Sequence, residues 1–368
     1  MYTLSLEIIN KCNLNCKYCY LGEKKNTYMS IDVAKKSVEI ALHEALKQYD
    51  KTLLIYFIGG EPLMAFSLMK DITDYVNKRC KETELKSMFS TTINGTLLTD
   101  EITDFFIKHK FDLKLSLDGP ESVHDLNRKD YAEKGSFKKI IENLVYLKRY
   151  EKYTQKKVSY AQVITKNNYM KWGQSIKFLL ELGCEKIESG VDHYCEWSDE
   201  ELGHLQERFT EAFYIYKEYI QKEKKTIFWN LFDQQLESFL LPCNFYACKA
   251  GLNSVYVATD GKIYTCIELE SFKIGSVETG LDVPRIREIA YVENKVNDMC
   301  EECSYIKNCK SRGCQASNYE VHQDIYQPVK ENCIITKTAF DLIEKNISSE
   351  QLNKIREEIM RRRNHGKK

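Results

Sequence analysis

The sequence has no long apolar run, and nothing in it approaches the roughly twenty residues a membrane-spanning helix needs. It also lacks an excess of either charge. Lys+Arg and Asp+Glu both number 54, so no global field argues for nucleic acid or an anionic membrane as partner. The opening Met1-Tyr2-Thr3-Leu4-Ser5-Leu6-Glu7 has neither the charged head nor the apolar centre of a secretion signal. These absences predict a cytoplasmic protein, in a compartment where thiols stay reduced. What is plentiful is cysteine. Fourteen are too many for packing alone and, in such a compartment, unsuited to disulfides. Metal binding is the use that remains, and the spacing tells which metal.

Three cysteines crowd the first twenty residues, three stand singly (Cys80, Cys184, Cys195), and eight fall between Cys243 and Cys333. Between the clusters, short apolar segments alternate with amphipathic ones. Leu4–Ile9, Leu53–Phe57, Met88–Ile93, Leu113–Leu117, Val158–Thr165 and Lys186–Val191 read as strands. Helical patterns follow each: one from the cap Ser30 through Leu46, then Ala65–Cys80, one capped by Thr99 with Asp100 and Glu101 in its first turn, Ser136–Tyr150, Tyr169–Leu182 and Ser198–Ile220. Six β–α units with right-handed crossovers predict an α/β fold, a parallel sheet curled into a partial (β/α)6 barrel with its chemistry at the C-terminal strand ends. A doubly wound open sheet fits the same alternation.

The expected organisation is a barrel over 1–222, ending near the charge run Lys222-Glu223-Lys224-Lys225, and a bridging helix in 223–240, drawn from Thr226–Leu240. A loop-dominated cysteine-rich domain over 241–335 and a C-terminal helix with a basic tail over 336–368 follow. The helix is expected as one piece, Thr336–Arg361, and the tail as a solvated, frayed end.

Cys12, Cys16 and Cys19 form a C-x3-C-x2-C run directly after the first expected strand. Three thiolates from one tight loop can ligate three irons of a cubane and leave the fourth open to a small molecule. Zinc at a structural site wants four ligands, and the loop offers no histidine. The run resembles the cluster loop of the radical S-adenosylmethionine (SAM) superfamily, with the aromatic Tyr18 beside its last cysteine. Gly59-Gly60-Glu61-Pro62 resembles that family's GGEP segment, which implies that its backbone and Glu61 hold the SAM amino group. Segments around Asn94 and around Ser116-Leu117-Asp118 resemble those lining the ribose and the methionyl carboxylate. Arg128 is the expected carboxylate partner, since a guanidinium grips both oxygens, and Ile164 sits in a segment resembling the strand edge beside adenine. Read singly, Gly59-Gly60 is also a tight turn, Asn94-Gly95 a strand exit and Arg128 a surface ion pair.

The later cysteines resemble the SPASM auxiliary-cluster extension. The resemblance implies one four-iron cluster on Cys243, Cys248, Cys266 and Cys314, and another on Cys300, Cys303, Cys309 and Cys333, so three [4Fe-4S] clusters in all. Four residues separate Cys309 from Cys314 where the family pattern has three. Two zinc ribbons are the competing reading of these spacings. Cys80 and Cys184 read as buried thiols, whereas Cys195 follows the last barrel strand, where substrate is expected.

The implied chemistry is one-electron cleavage of SAM by the Cys12/Cys16/Cys19 cluster and attack of the resulting radical on a substrate C–H bond. A low-potential flavodoxin or ferredoxin is the implied electron donor. Asp192, Glu188 and Glu268 are candidate bases near the expected barrel mouth. The implied substrate is a peptide or protein side chain, with no nucleic acid or membrane as partner. Two readings compete within that class: a peptide maturase forming a thioether or other cross-link, and an anaerobic sulfatase maturase making formylglycine from Cys or Ser. In the second family an acid follows the Cys266 equivalent, and here Ile267 stands there. Many peptide maturases carry a leader-binding domain ahead of the barrel, and none is expected before the strand near Leu4. A zinc-holding scaffold without catalysis is the alternative from another class.

Overall fold

The computed structural model describes residues 1–241, 248–266, 269–291, 295–310 and 314–365. Cys243, Ile267 and Glu268 lie outside the described residues. All six expected strands form: β1 (Tyr2–Ile9), β2 (Thr52–Gly59), β3 (Lys86–Ile93), β4 (Asp112–Ser116), β5 (Ser159–Ile164) and β6 (Lys186–Val191). The helices between them are α1 (Ile31–Leu46), α2 (Phe66–Glu82), α3 (Asp100–His109), a short α4 (Glu121–His124), α5 (Phe137–Thr154) and α6 (Trp172–Glu181), with α7 (Asp199–Glu223) after β6. The cap signals act as read. Ser30 accepts from the Val33 amide and Thr99 from Ile102; in addition, Ser198 closes a reciprocal capping box with Glu201. The fold is α/β, built on a parallel sheet with helical crossovers.

The chain divides into two compact units, Met1–Ala161 with Lys249–Val292, and Gln162–Cys248 with Glu293–Lys368. In the first unit β1 pairs in parallel with β2, β2 with β3, β3 with β4 and β4 with the start of β5. β8 (Ser254–Val257) pairs in parallel with the other edge of β1, as in Leu4 opposite Val255. The antiparallel strands β9 (Lys262–Tyr264), β10 (Lys273–Ser276) and β11 (Gly280–Leu281) continue from it. Tyr2, Leu4, Leu6 and Ile8 of β1 are buried, and stacked rings of Phe57, Phe89 and Phe111 fill the core nearby. The second unit holds β6 and the two-residue β7 (Phe228–Trp229), paired in parallel. Its core is aromatic: Trp172, Phe209 and Trp229 lie against one another with centroids 5.2–6.2 Å apart.

Three expectations change. Thr226–Leu240 is not one helix: β7 precedes α8 (Asn230–Leu240), because the Trp229 amide is taken by Asp233 and the apolar Ile227-Phe228-Trp229 run pairs with a strand. The cysteine-rich part holds more regular structure between its loops than expected. It contains β8 to β11, α9 (Val283–Ala290), α10 (Asp298–Glu301) and α11 (Gln315–His322). The terminal helix is two, α12 (Lys330–Asn346) and α13 (Ser349–His365), because Ile347 is extended and Ser348 and Gln351 exchange side-chain-to-amide bonds that restart the helix.

Candidate active site

The cluster loop leaves β1 at Ile9 and is fastened on two sides. On one side the Gly60 and Glu61 amides donate to the carbonyls of Ile9 and Lys11, at 2.9 and 3.0 Å. This approach requires glycine: a Cβ on Gly59 would stand 1.9 Å from the Ile9 oxygen, and one on Gly60 2.1 Å from that of Lys11. On the other side the Asn15 and Lys17 amides donate to the carbonyls of Lys129 and Asn127, at 2.7 and 3.0 Å. Residues 12–19 are thereby held between the end of β2 and the segment after α4.

Cys12 is buried and Cys16 and Cys19 half-buried. Burial pushes the Cys12 thiol up to about 12, with Glu61 and Cys16 adding to the rise, and burial also raises Cys16. Thiols so placed keep their protons until a metal replaces them. The Leu14 amide reaches the Cys12 sulfur at 3.3 Å, a hydrogen bond of the kind that tunes cluster sulfurs. Loop, donor set and sulfur-directed amide all fit a three-cysteine cluster.

Glu61 is 1% exposed, and both its oxygens are committed to backbone. One accepts from the Leu63 amide (3.1 Å) and caps the turn starting at Pro62; the other accepts from the Asn94 amide (2.7 Å). Burial lifts its carboxyl to about 7 even though these amides favour the charge. Glu61 thus ties the end of β3 to the end of β2. Asn94 extends the tie: its amide nitrogen donates to Asn13 (2.8 Å) and comes within 3.9 Å of the Cys12 sulfur, while its oxygen accepts from Thr96. Ser116 and Asp118 sit at the end of β4, Ser116 half-buried and Asp118 fully buried.

Asp118 collects the remaining expected residues of this unit. It accepts from the Tyr18 hydroxyl (2.7 Å to the nearer oxygen), and the Arg128 Nε lies 3.1 Å away. That pair is an ion pair whose N–H direction misses hydrogen-bond geometry, leaving the buried Nε without a hydrogen-bond partner. The guanidinium covers the Tyr18 ring at 5.1 Å. Burial opposes its charge, but Asp118, Tyr18 and Cys16 outweigh burial and keep Arg128 protonated. His124 was not singled out from sequence. Fully buried, it accepts the Asp118 amide on Nδ1 and meets Ser136 at Nε2, and burial, then Arg128, lowers its pKa well below the usual value. Its signal was an imidazole six residues beyond a strand-end aspartate.

In the second unit Ile164 is buried, and its carbonyl accepts from the Asp192 amide. Asp192 accepts from the Tyr194 amide, and its carbonyl takes the Trp197 indole at 2.8 Å. Glu188 is half-buried on β6. Cys195 is half-buried, its thiol raised to about 11 by burial and then by Asp192, which together outweigh the lowering by Lys166. Cys80 and Cys184 are buried.

Cys300, Cys303, Cys309 and Cys333 line one small cavity of about 40 Å³, with Tyr305, Thr336 and Lys337 beside them. Burial, then Cys309, Cys300 and Cys303, pushes the Cys333 thiol up to about 12, so the four sulfurs feel one another. Of the other expected set, Cys248 and Cys314 belong to the second unit and Cys266 to the first, and all three are exposed. Among the described residues no three His, Cys, Asp or Glu side chains close on a point as they would around a single ion. No helix there is long and apolar enough to cross a membrane.

Residues 6–179 match the family described as the Radical SAM superfamily. Over 331 residues the chain is 25% identical to the cysteine-type anaerobic sulfatase-maturating enzyme of Clostridium perfringens (strain 13 / Type A), covering 83% of this chain and 86% of that one. Its fold is similar to that of "Native anSMEcpe with bound AdoMet", with a TM-score of 0.78 at 21% identity over 97% of this chain and 99% of the other. It is also similar to Streptococcus suis SuiB bound to its precursor peptide SuiA, with a TM-score of 0.60 at 18% identity over 90% and 75%.

Proposed function

We infer, from the match of residues 6–179 to the Radical SAM superfamily, that this chain is a radical SAM maturase that removes hydrogen from a peptide or protein side chain. The observation that carries this reading is the fastening of the cluster loop to three other strand-end segments: Gly60-Glu61 by backbone bonds, Asn94 through Asn13, and Asp118 through Tyr18. Cys12, Cys16 and Cys19 would hold a four-iron cluster which, with SAM bound, would supply the chemistry to take hydrogen from an unactivated C–H bond. The chain's own residues orient that pair. Glu61 and Asn94 fix the backbone where SAM would lie, and Arg128, held by Asp118, offers the positive charge for its carboxylate. Cys300, Cys303, Cys309 and Cys333 provide a donor set for a second cluster, which would accept the second electron from a substrate oxidised by two; the spacing of the remaining late cysteines implies a third.

Within this class we favour cross-linking of a cysteine-containing peptide, because Ile267 stands where sulfatase maturases carry an acid and cannot serve as a base. Formylglycine formation is the second reading, favoured by the alignment with a sulfatase-maturating enzyme along most of both chains. Protein reconstituted without oxygen is expected to hold about twelve irons and to cleave SAM when reduced. Mass spectrometry of a cysteine-rich peptide, with and without iodoacetamide, should show a product two hydrogens lighter, with one thiol no longer alkylatable if the bond is a thioether. An aldehyde on a sulfatase-type peptide, with cysteine-rich peptides unchanged, transfers the assignment to the second reading. A colourless zinc protein that leaves SAM intact overturns both.

A further inference from the structure

The second unit contains a cavity of about 670 Å³ that no part of the proposed chemistry uses. It is bounded by the turn after β6, the end of α11 and the start of α12. Most charged groups in its wall are already matched. Lys166 pairs with Glu201 at 2.8 Å, His193 with Glu320 at 3.4 Å, and Lys330 with Asp199 at 3.7 Å. Glu196 is exposed, and water serves it. Two lining groups are exceptions: the buried Nε2 of His322 has no hydrogen-bond partner, and Glu331, 5% exposed, meets only its own backbone amide and no other described side chain.

A buried carboxylate without a counter-charge is costly, so such a group calls for a cation or a proton. Asp192 stands near enough to repel Glu331, which deepens the local negative potential. Glu331 also occupies the first turn of α12, where the helix dipole favours a negative charge. Trp197 and Tyr194 add aromatic surface to the same wall, and Trp197 is fixed by its indole bond to the Asp192 carbonyl. Aromatic faces beside an unpaired carboxylate suit a guanidinium or ammonium group on an aliphatic stem.

We propose that this cavity receives an arginine or lysine side chain of the peptide substrate, with Glu331 as its counter-charge. The proposal rests on the peptide-maturase reading for the source of the cation, and its test reads binding rather than turnover. Calorimetry on anaerobic holoprotein compares a capped five-residue peptide with a central arginine against the same peptide with citrulline, which keeps the shape and loses the charge. The arginine peptide should bind about ten- to a hundredfold tighter, the usual effect of one charge-assisted contact, and Glu331→Gln should bring the two peptides level. Equal affinity of both peptides for the wild-type protein, or a preference that survives Glu331→Gln, overturns the proposal. Should Glu331→Gln lose iron or fold, Cys195→Phe, which adds bulk to the same wall, must weaken the arginine peptide; unchanged affinity there is equally fatal. Agmatine binding as tightly as the peptide would assign the cavity to a free small cation and refute the peptide source. Peptides modified without any arginine preference would refute this inference and leave the maturase reading standing, while arginine-selective binding with no peptide modified would do the reverse.

Discussion

An alanine at residue 60 would set its Cβ 2.1 Å from the Lys11 carbonyl oxygen, well inside contact distance. The turn after β2 and the cluster loop cannot then both keep their places. Gly60→Ala should therefore lose about four of the roughly twelve irons expected for three clusters, along with SAM cleavage. Iron analysis with spectroscopy of the reduced protein checks this, and an unchanged iron count would contradict it. Glu61 acts by another route. A glutamine there would turn N–H donors toward one of two backbone amides that also donate, and a buried unmet donor costs about 1–3 kcal/mol. Glu61→Gln should displace Asn94, lower the thermal midpoint and raise the SAM dissociation constant about tenfold or more; wild-type affinity would separate Glu61 from the site. The presence of a glutamate after two glycines was legible in the sequence. That both its oxygens hold backbone was not, since one partner, Asn94, lies 33 residues away.

Among the elements, the start of α8 carries a pH-dependent contribution. Asp233 accepts from the Trp229 amide at 2.6 Å and meets the Tyr216 hydroxyl at 3.3 Å. Burial nevertheless lifts its carboxyl from 3.8 to about 6. A carboxyl raised on folding favours the native state in its protonated form. Its contribution is full below the unfolded value and is lost as pH rises through the native one. Asp233→Asn cannot ionise and keeps an acceptor for Trp229, so its stability relative to wild type should grow by about 1 kcal/mol from about pH 5 to 7. Urea midpoints followed by tryptophan fluorescence measure this, and parallel pH curves for the two proteins would refute it. The helices were read from caps and periodicity, and Ser30 and Thr99 cap where expected. The break between α12 and α13 had a local sign too, the Ser348-Ser349-Glu350-Gln351 box, but apolar periodicity on either side masked it.

For the whole molecule, the separate donor sets predict separable losses. Cys303 belongs to the four-cysteine cavity of the second unit, whereas Cys12, Cys16 and Cys19 all lie in the first. Cys16→Ala should abolish SAM cleavage, since two thiolates do not hold a cubane with an open iron in place. Cys303→Ala should spare part of that cleavage and block the modified peptide. Measuring 5′-deoxyadenosine against product in both variants decides the matter, and equal loss of both activities in a folded Cys303→Ala protein would refute the division.

The parallel α/β order and the strand-end motifs were determined by the sequence alone, because each depends on spacing within a few residues: period two in strands, near four in helices, and three thiols in one short loop. Tertiary structure decided what those residues do to one another. It brought β8 back from residue 254 to pair with β1, split the chain into two discontinuous units, and set Arg128 against Asp118 rather than in water. It also left Glu331 buried at a cavity wall with no counter-charge from another described side chain. Burial and pairing are properties of neighbours distant in the chain, and no local pattern of residues encodes them.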